Sequence, residues 1–173
     1  MATLAFVLNS NTARKGNYQP QLRRAIELIN NSVDNNGVLR DKGNVVNTET
    51  LAITLWAMSE IVADSPSATN KQTAKKLLAS LLKRRAKSDL WLTQEGGNES
   101  SSATSWAIIA LESAKKAGLV VDQVIIDSAN AVFAKSGKDK LSLAALLKEL
   151  NITSSQPIAN AAARYLLLSQ PSN

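Results

Sequence analysis

Two kinds of residue in this chain have the types and settings for chemistry. The first is a set of carboxylates on or beside apolar helical stretches: Glu49, Glu60 and Glu112. A carboxyl group that keeps its proton through burial or a second carboxylate can serve as a general acid. Glu112 lies three residues after Ile109 in SWAIIALESA, and it faces either an interior cavity or Lys115 and Lys116 about one turn on. The second kind is aromatic. Trp56, Trp91 and Trp106 are the three tryptophans, and two of them sit in strongly apolar segments. Their faces could line a site for an apolar ligand or a cation. A structural role competes in each case: an ion-paired helix end for Glu112, and core packing for the tryptophans.

Much other chemistry is closed to this sequence. It has no histidine and no cysteine, which removes Ser-His-Asp catalysis, thiolate nucleophiles, disulfides and every zinc site that uses Cys or His. The 173 residues carry 20 Lys and Arg against 14 Asp and Glu, a formal charge of +6. Such a balance permits nucleic acid, anionic lipid or an acidic protein as a partner, but requires none of them. The candidate basic surface is Lys76, Lys83, Arg84, Arg85 and Lys87 at the end of one amphipathic segment. It lacks interleaved aromatics and matches no nucleic-acid motif, so nucleic acid is the disfavoured partner. EGGNESSS lacks the lysine and spacing of a phosphate loop and reads as a flexible connection. Triplets of the form Asn-x-Ser/Thr at Asn30, Asn98 and Asn151 are expected by chance in so polar a composition.

The elements that must position these residues read as helices. Apolar residues make up 45% of the chain but aromatics only 4%, and glycine and proline are scarce, which favours helix over sheet. One domain of this length would bury roughly 70% of its unfolded surface. A short N-terminal pattern, Ala2 to Leu8, precedes YQPQLRRAIELINNSV, where Pro20 suits a first turn and Leu22, Ala25, Ile26, Ile29 and Val33 recur at helical spacing. NTETLAITLWAMSEIVADS is apolar nearly all round and belongs inside. The next helix places Ala74, Leu77, Leu78, Leu81 and Leu82 on one face and Lys76, Lys83 and Lys87 on another. TSWAIIALESAKKAGL is again apolar around most of its circumference, with Ser102 or Thr104 as its cap and Gly118 as its stop. Asp122 then starts a one-sided helix with a stripe of Ile125, Ala129, Val132 and Phe133.

Enclosed and one-sided helices thus alternate with a period near fifty residues. Thr3, Thr50 and Thr104 open similar runs at spacings of 47 and 54, which implies helix-pair units over residues 3–47, 48–102 and 103–137, with C-terminal helices over 138–170. No apolar run approaches the ~20 residues needed to span a bilayer, and MATLAFVLNS is too short and lacks the basic region of a signal peptide. A soluble chain is expected, cytoplasmic if the sequence is full length.

The run TSWAIIALESAKKAGLVVDQVIIDSANAVF, with TLAF, Gly16-Asn17-Tyr18, TLAITLWAMSE and KSDLWL, resembles the prenyltransferase and squalene-cyclase repeat family, particularly its uncharacterised bacterial members. The resemblance covers about residues 3 to 137. It implies an α/α toroid, inner helices around a cavity and outer helices outside, with an aromatic wall from Trp56, Trp106 and Trp91. The chain departs from the family's chemistry. The Asp-x-Asp-Asp acid motif of the cyclases is missing, as are the zinc ligands of the protein prenyltransferases and the cysteine of the thioester domains. The Gln-Trp turn signature is eroded, since DNNGVL has no tryptophan and SDLWL keeps one. About four helix pairs fit, where a full toroid has six. The expectation is therefore all-α: stacked helix hairpins, about eight helices, forming a partial toroid. It would be a non-catalytic binding or scaffold module with no catalytic residue, metal or cofactor. Its partner would be another protein or another copy of itself. The alternatives are an apolar-ligand protein or degenerate terpene cyclase using the tryptophans and Glu112, and a basic surface for nucleic acid or an acidic protein.

Overall fold

The computed structural model describes residues 16–135, and the side chains of 16–132. Five helices and two short hairpins follow one another: α1 (Gln19–Ser32), β1 (Arg40–Asp41), β2 (Asn44–Val45), α2 (Thr48–Asp64), α3 (Ala68–Lys83), β3 (Trp91–Leu92), β4 (Glu99–Ser100), α4 (Ser101–Lys116) and α5 (Gln123–Lys135). The mainly helical character expected from the composition is present. The helices expected over 2–8 and 138–170 lie outside the described residues.

Local chemistry sets the ends of each helix. Pro20 occupies the first turn of α1, whose Leu22 and Ile26 are buried while Leu28 is exposed. Asn47 caps α2 by accepting from the Thr50 N–H at 2.8 Å, and Ser67 caps α3 from Asn70 at 3.1 Å. For α4 the cap is Ser100, which accepts from Ala103 N–H at 3.1 Å, and neither Ser102 nor Thr104 takes that role. Strand pairing explains the choice: Ser100 lies opposite Trp91 in the hairpin and so keeps the extended backbone that a cap requires. Gly118, at φ 78°, ends α4, with its own N–H on Lys115 O and Leu119 N–H on Ala114 O, both at 3.0 Å. That pair of hydrogen bonds marks a left-handed helix stop, and Leu119 folds back into the core as expected.

Helices α2 and α4 are the enclosed pair. Each buries residues all round its circumference, and they pack on each other with Trp56 opposite Trp106 and Glu60 opposite Ser113. Both pairs advance in the same direction, so the two helices run parallel. The connection from Asp64 to Ala68 returns the chain antiparallel, laying α3 along α2. α3 buries Ala74, Leu77, Leu78 and Leu81 and exposes its other face. α1 packs on α3 and α5 on α4. The buried stripe of α5 includes Ile126 and Ala129, while Ile125 is partly buried. Ile126, absent from the stripe expected for this helix, completes it.

The two corners that follow α1 and α3 share one backbone. In the first, Val33 pairs with Leu39, Asp34 N–H bonds Val38 O, and Gly37 N–H bonds Asp34 O. In the second, Arg85 pairs with Trp91, Ala86 N–H bonds Leu90 O, and Asp89 N–H bonds Ala86 O. Every position recurs at a step of 52 residues. Gly37 and Asp89 hold the matching place with φ of 82° and 71°. The hairpins after the corners differ: β1–β2 closes on Lys42-Gly43, both at positive φ, the two-residue turn that suits strand twist. The second hairpin contains the segment expected to be a flexible connection. It is an ordered turn, with Thr93 N–H on Asn98 O at 2.7 Å and Gly97 N–H on Gln94 O at 3.0 Å.

Candidate functional site

The α2–α4 seam brings together three of the residues singled out for chemistry. Trp56 and Trp106 meet with ring centroids 6.2 Å apart and planes tilted by 38°. They are 1% and 3% exposed, so their faces are spent on each other and on the surrounding core. Glu60 sits one turn after Trp56 and accepts from its indole Nε1 at 3.1 Å. The same carboxylate oxygen accepts from Ser113 Oγ at 2.9 Å, across the helix interface. Ser113 is buried, and its hydroxyl would be costly to leave without a partner. Glu60 thereby joins the seam as a fixed acceptor.

Trp91 lies elsewhere. It belongs to β3, is fully buried, and donates its Nε1–H to Leu81 O at 2.9 Å. Its backbone N–H bonds Thr104 Oγ1 at 2.8 Å, and that hydroxyl in turn donates to Ser100 O at 2.7 Å. Trp91 thus fastens the second hairpin to α3 and α4.

Glu112 is partly buried near the end of α4, next to Ser113 in sequence. Burial raises its pKa above the ordinary carboxylate value, and the positive charge of Lys116 one turn on opposes the rise. An environment of this kind suits a carboxyl group that holds a proton. Glu49 is partly buried in the first turn of α2, where a negative charge complements the helix dipole.

The basic run does not form one surface. Arg84 is 3% exposed and points inward, donating from Nη1 to Val46 O at 3.0 Å and to Thr48 Oγ1 at 3.3 Å. Its desolvation lowers the pKa from the usual arginine value, with Glu95 pulling the other way, although a guanidinium stays charged throughout. Arg85 turns to Asp89 and to Ser128 Oγ of α5. Lys76 is partly buried with its Nζ 3.4 Å from Asp34 O. Only Lys83 and Lys87 of the five stand exposed. Helical spacing carried a signal for Arg84: 77, 81 and 84 continue the buried stripe of α3, so the residue at 84 turns inward despite its charge.

Among the described residues, no three Asp or Glu side chains gather as a metal site would require, and no helix is long and apolar enough to cross a membrane. Comparison with family models, with curated proteins and with solved structures gives no match to this chain.

Proposed function

We propose that this chain is a non-catalytic binding or scaffold module, built on an incomplete α/α toroid of the prenyltransferase and squalene-cyclase kind. The α2–α4 seam is the observation that supports it. In a toroid with an apolar-ligand cavity, the aromatic faces of the inner helices stay available to the ligand. Here Trp56 and Trp106 cover each other, and Glu60 is committed to Trp56 and Ser113. The alternation of enclosed α2 and α4 with one-sided α1 and α3, joined by corners that repeat at a step of 52, supports the repeat architecture. In a stacked array each unit completes its neighbour's core and leaves its outer helices to meet partners. Another protein or another copy of the chain would complete the ring.

Tryptophan emission tests the reading against an isoprenoid-binding role. Titrating the protein with farnesol should leave the emission maximum and intensity unchanged. A saturable, stoichiometric quench or blue shift would overturn the proposal and restore the ligand-cavity alternative.

A further inference from the structure

We propose that the outer face of α3 is a docking surface for an acidic α-helix of a partner protein. The inference rests on reading the chain as a binding module, and it names the partner's chemistry. Lys71, Lys75, Ala79 and Lys83 follow one another at steps of four along α3, and all four are exposed. Each step rises about 6 Å along the helix. The helix contains no Asp or Glu, and among the described residues no carboxylate lies within ion-pair distance of Lys71, Lys75 or Lys83. Asn70 and Lys76, on the neighbouring face, are instead turned to α1 and the first corner through Asn30 and Asp34. The uncompensated charge is thus confined to the outward side.

Geometry selects the kind of anion. Residues at steps of four form the ridge by which helices most often pack together, and a partner helix with carboxylates at the same step presents charges at the same ~6 Å interval. Ala79 leaves a dip in the middle of the ridge where a partner side chain can seat between two lysine stems. A nucleic acid would be better served by arginine forks and stacking aromatics, but Arg84 and Arg85 are turned to internal bonds and α3 has no aromatic. An anionic membrane would gain from apolar side chains to insert, yet the exposed Tyr18, Leu28, Val45, Val120 and Val124 all lie off this helix.

The test is fluorescence anisotropy with a labelled helical peptide about 20 residues long, carrying Glu at every fourth position on an alanine-rich background. Expected is saturable binding at low salt that weakens as salt rises. The double variant Lys71→Glu/Lys75→Glu should lose about tenfold or more in affinity, while Arg24→Glu/Lys42→Glu, with the same charge change elsewhere, should retain most of it. Circular dichroism checks that both variants keep their helices. No binding, or equal loss in both variants, overturns the inference. So does tighter binding of a short DNA duplex or of phosphatidylserine vesicles that the Lys71/Lys75 pair abolishes. A failure of this kind with farnesol still silent counts against the α3 surface alone, whereas a farnesol response counts against the module reading itself.

Discussion

Replacing Gly37 and Gly43 by alanine separates backbone strain from steric contact between units. Both glycines have φ near +80°, at 82° and 85°. Alanine in that region costs about 1 kcal/mol at either position, and the smaller entropy of the unfolded alanine chain offsets part of it equally in both. The surroundings differ. A Cβ at Gly43 meets nothing within 4 Å, whereas one at Gly37 would stand 2.6 Å from Lys76 O and 3.2 Å from the adjoining carbonyl carbon. Those atoms belong to the backbone of α3, which cannot yield without distorting the helix. Overpacking of this kind adds about 2 kcal/mol, so Gly37→Ala should cost about 3 kcal/mol and Gly43→Ala about 1. Urea unfolding followed by far-UV circular dichroism reads the gap as a lower midpoint at similar m-value. In a thermal scan the two variants should differ by about 4–8 °C. If Gly37→Ala costs no more than Gly43→Ala, the first corner does not press on α3, and the packing of one unit on the next has been misassigned.

Glu112→Gln tests the environment of a carboxylate whose pKa burial raises. Its folded pKa exceeds its unfolded value, so the folded state binds more protons and this group's contribution is full below the unfolded pKa and lost as pH rises through the folded one. The glutamine variant should therefore gain stability relative to the parent at neutral pH and show a flatter fall in urea midpoint above pH 4; an unchanged difference across pH 3 to 8 would refute the burial effect. Arg84→Ala should destabilise by about 3 kcal/mol, because it leaves Val46 O and Thr48 Oγ1 without their donor in a dry setting. Arg84→Lys should recover only part of that loss, since an ammonium does not reproduce the planar fork; a silent Arg84→Ala in urea unfolding would show that the guanidinium is solvated after all.

The helices were legible because their pattern is physical. Leu51, Leu55, Trp56, Met58, Ile61 and Val62 surround α2, and such a helix is stable only where neighbours surround it as well. The hairpins were not legible, since strands of two residues carry no alternation to detect. The cap of α4 sits in the run Ser100-Ser101-Ser102-Ala103-Thr104, where four residues are good caps, and only the pairing of Ser100 with Trp91 selects among them. At the candidate site, the sequence supplied Trp56, Trp106 and Glu60 but not their mutual arrangement. Ser113 went unmarked because a serine in an apolar helix bonds its own backbone as readily as a distant carboxylate. The basic run misled for a similar reason: net charge reports composition, whereas the direction of Arg84 and Arg85 depends on which carbonyls and hydroxyls reach the end of α3.

The two corners share one backbone conformation although different residues stand in their matching places. Leu39 and Trp91 occupy equivalent places and are both buried, yet only Trp91 reaches a partner with its ring nitrogen. The conformation is carried instead by the paired backbone bonds and by one residue at positive φ, which either Gly37 or Asp89 supplies. Asp89 incurs a steric cost there that glycine avoids, and its ion pair with Arg85, partly sheltered from solvent, offsets some of it. Each corner then touches the next one-sided helix along the chain. The first presses Gly37 against Lys76 O of α3, and the second sends Arg85 to Ser128 of α5. A close backbone contact at one corner and a charged hydrogen bond at the other therefore each tie a corner to the one-sided helix that follows. Corners of one backbone conformation thus meet the following one-sided helix through different contacts, Gly37 and Asp34 O against Lys76 in the first and Arg85 against Ser128 in the second.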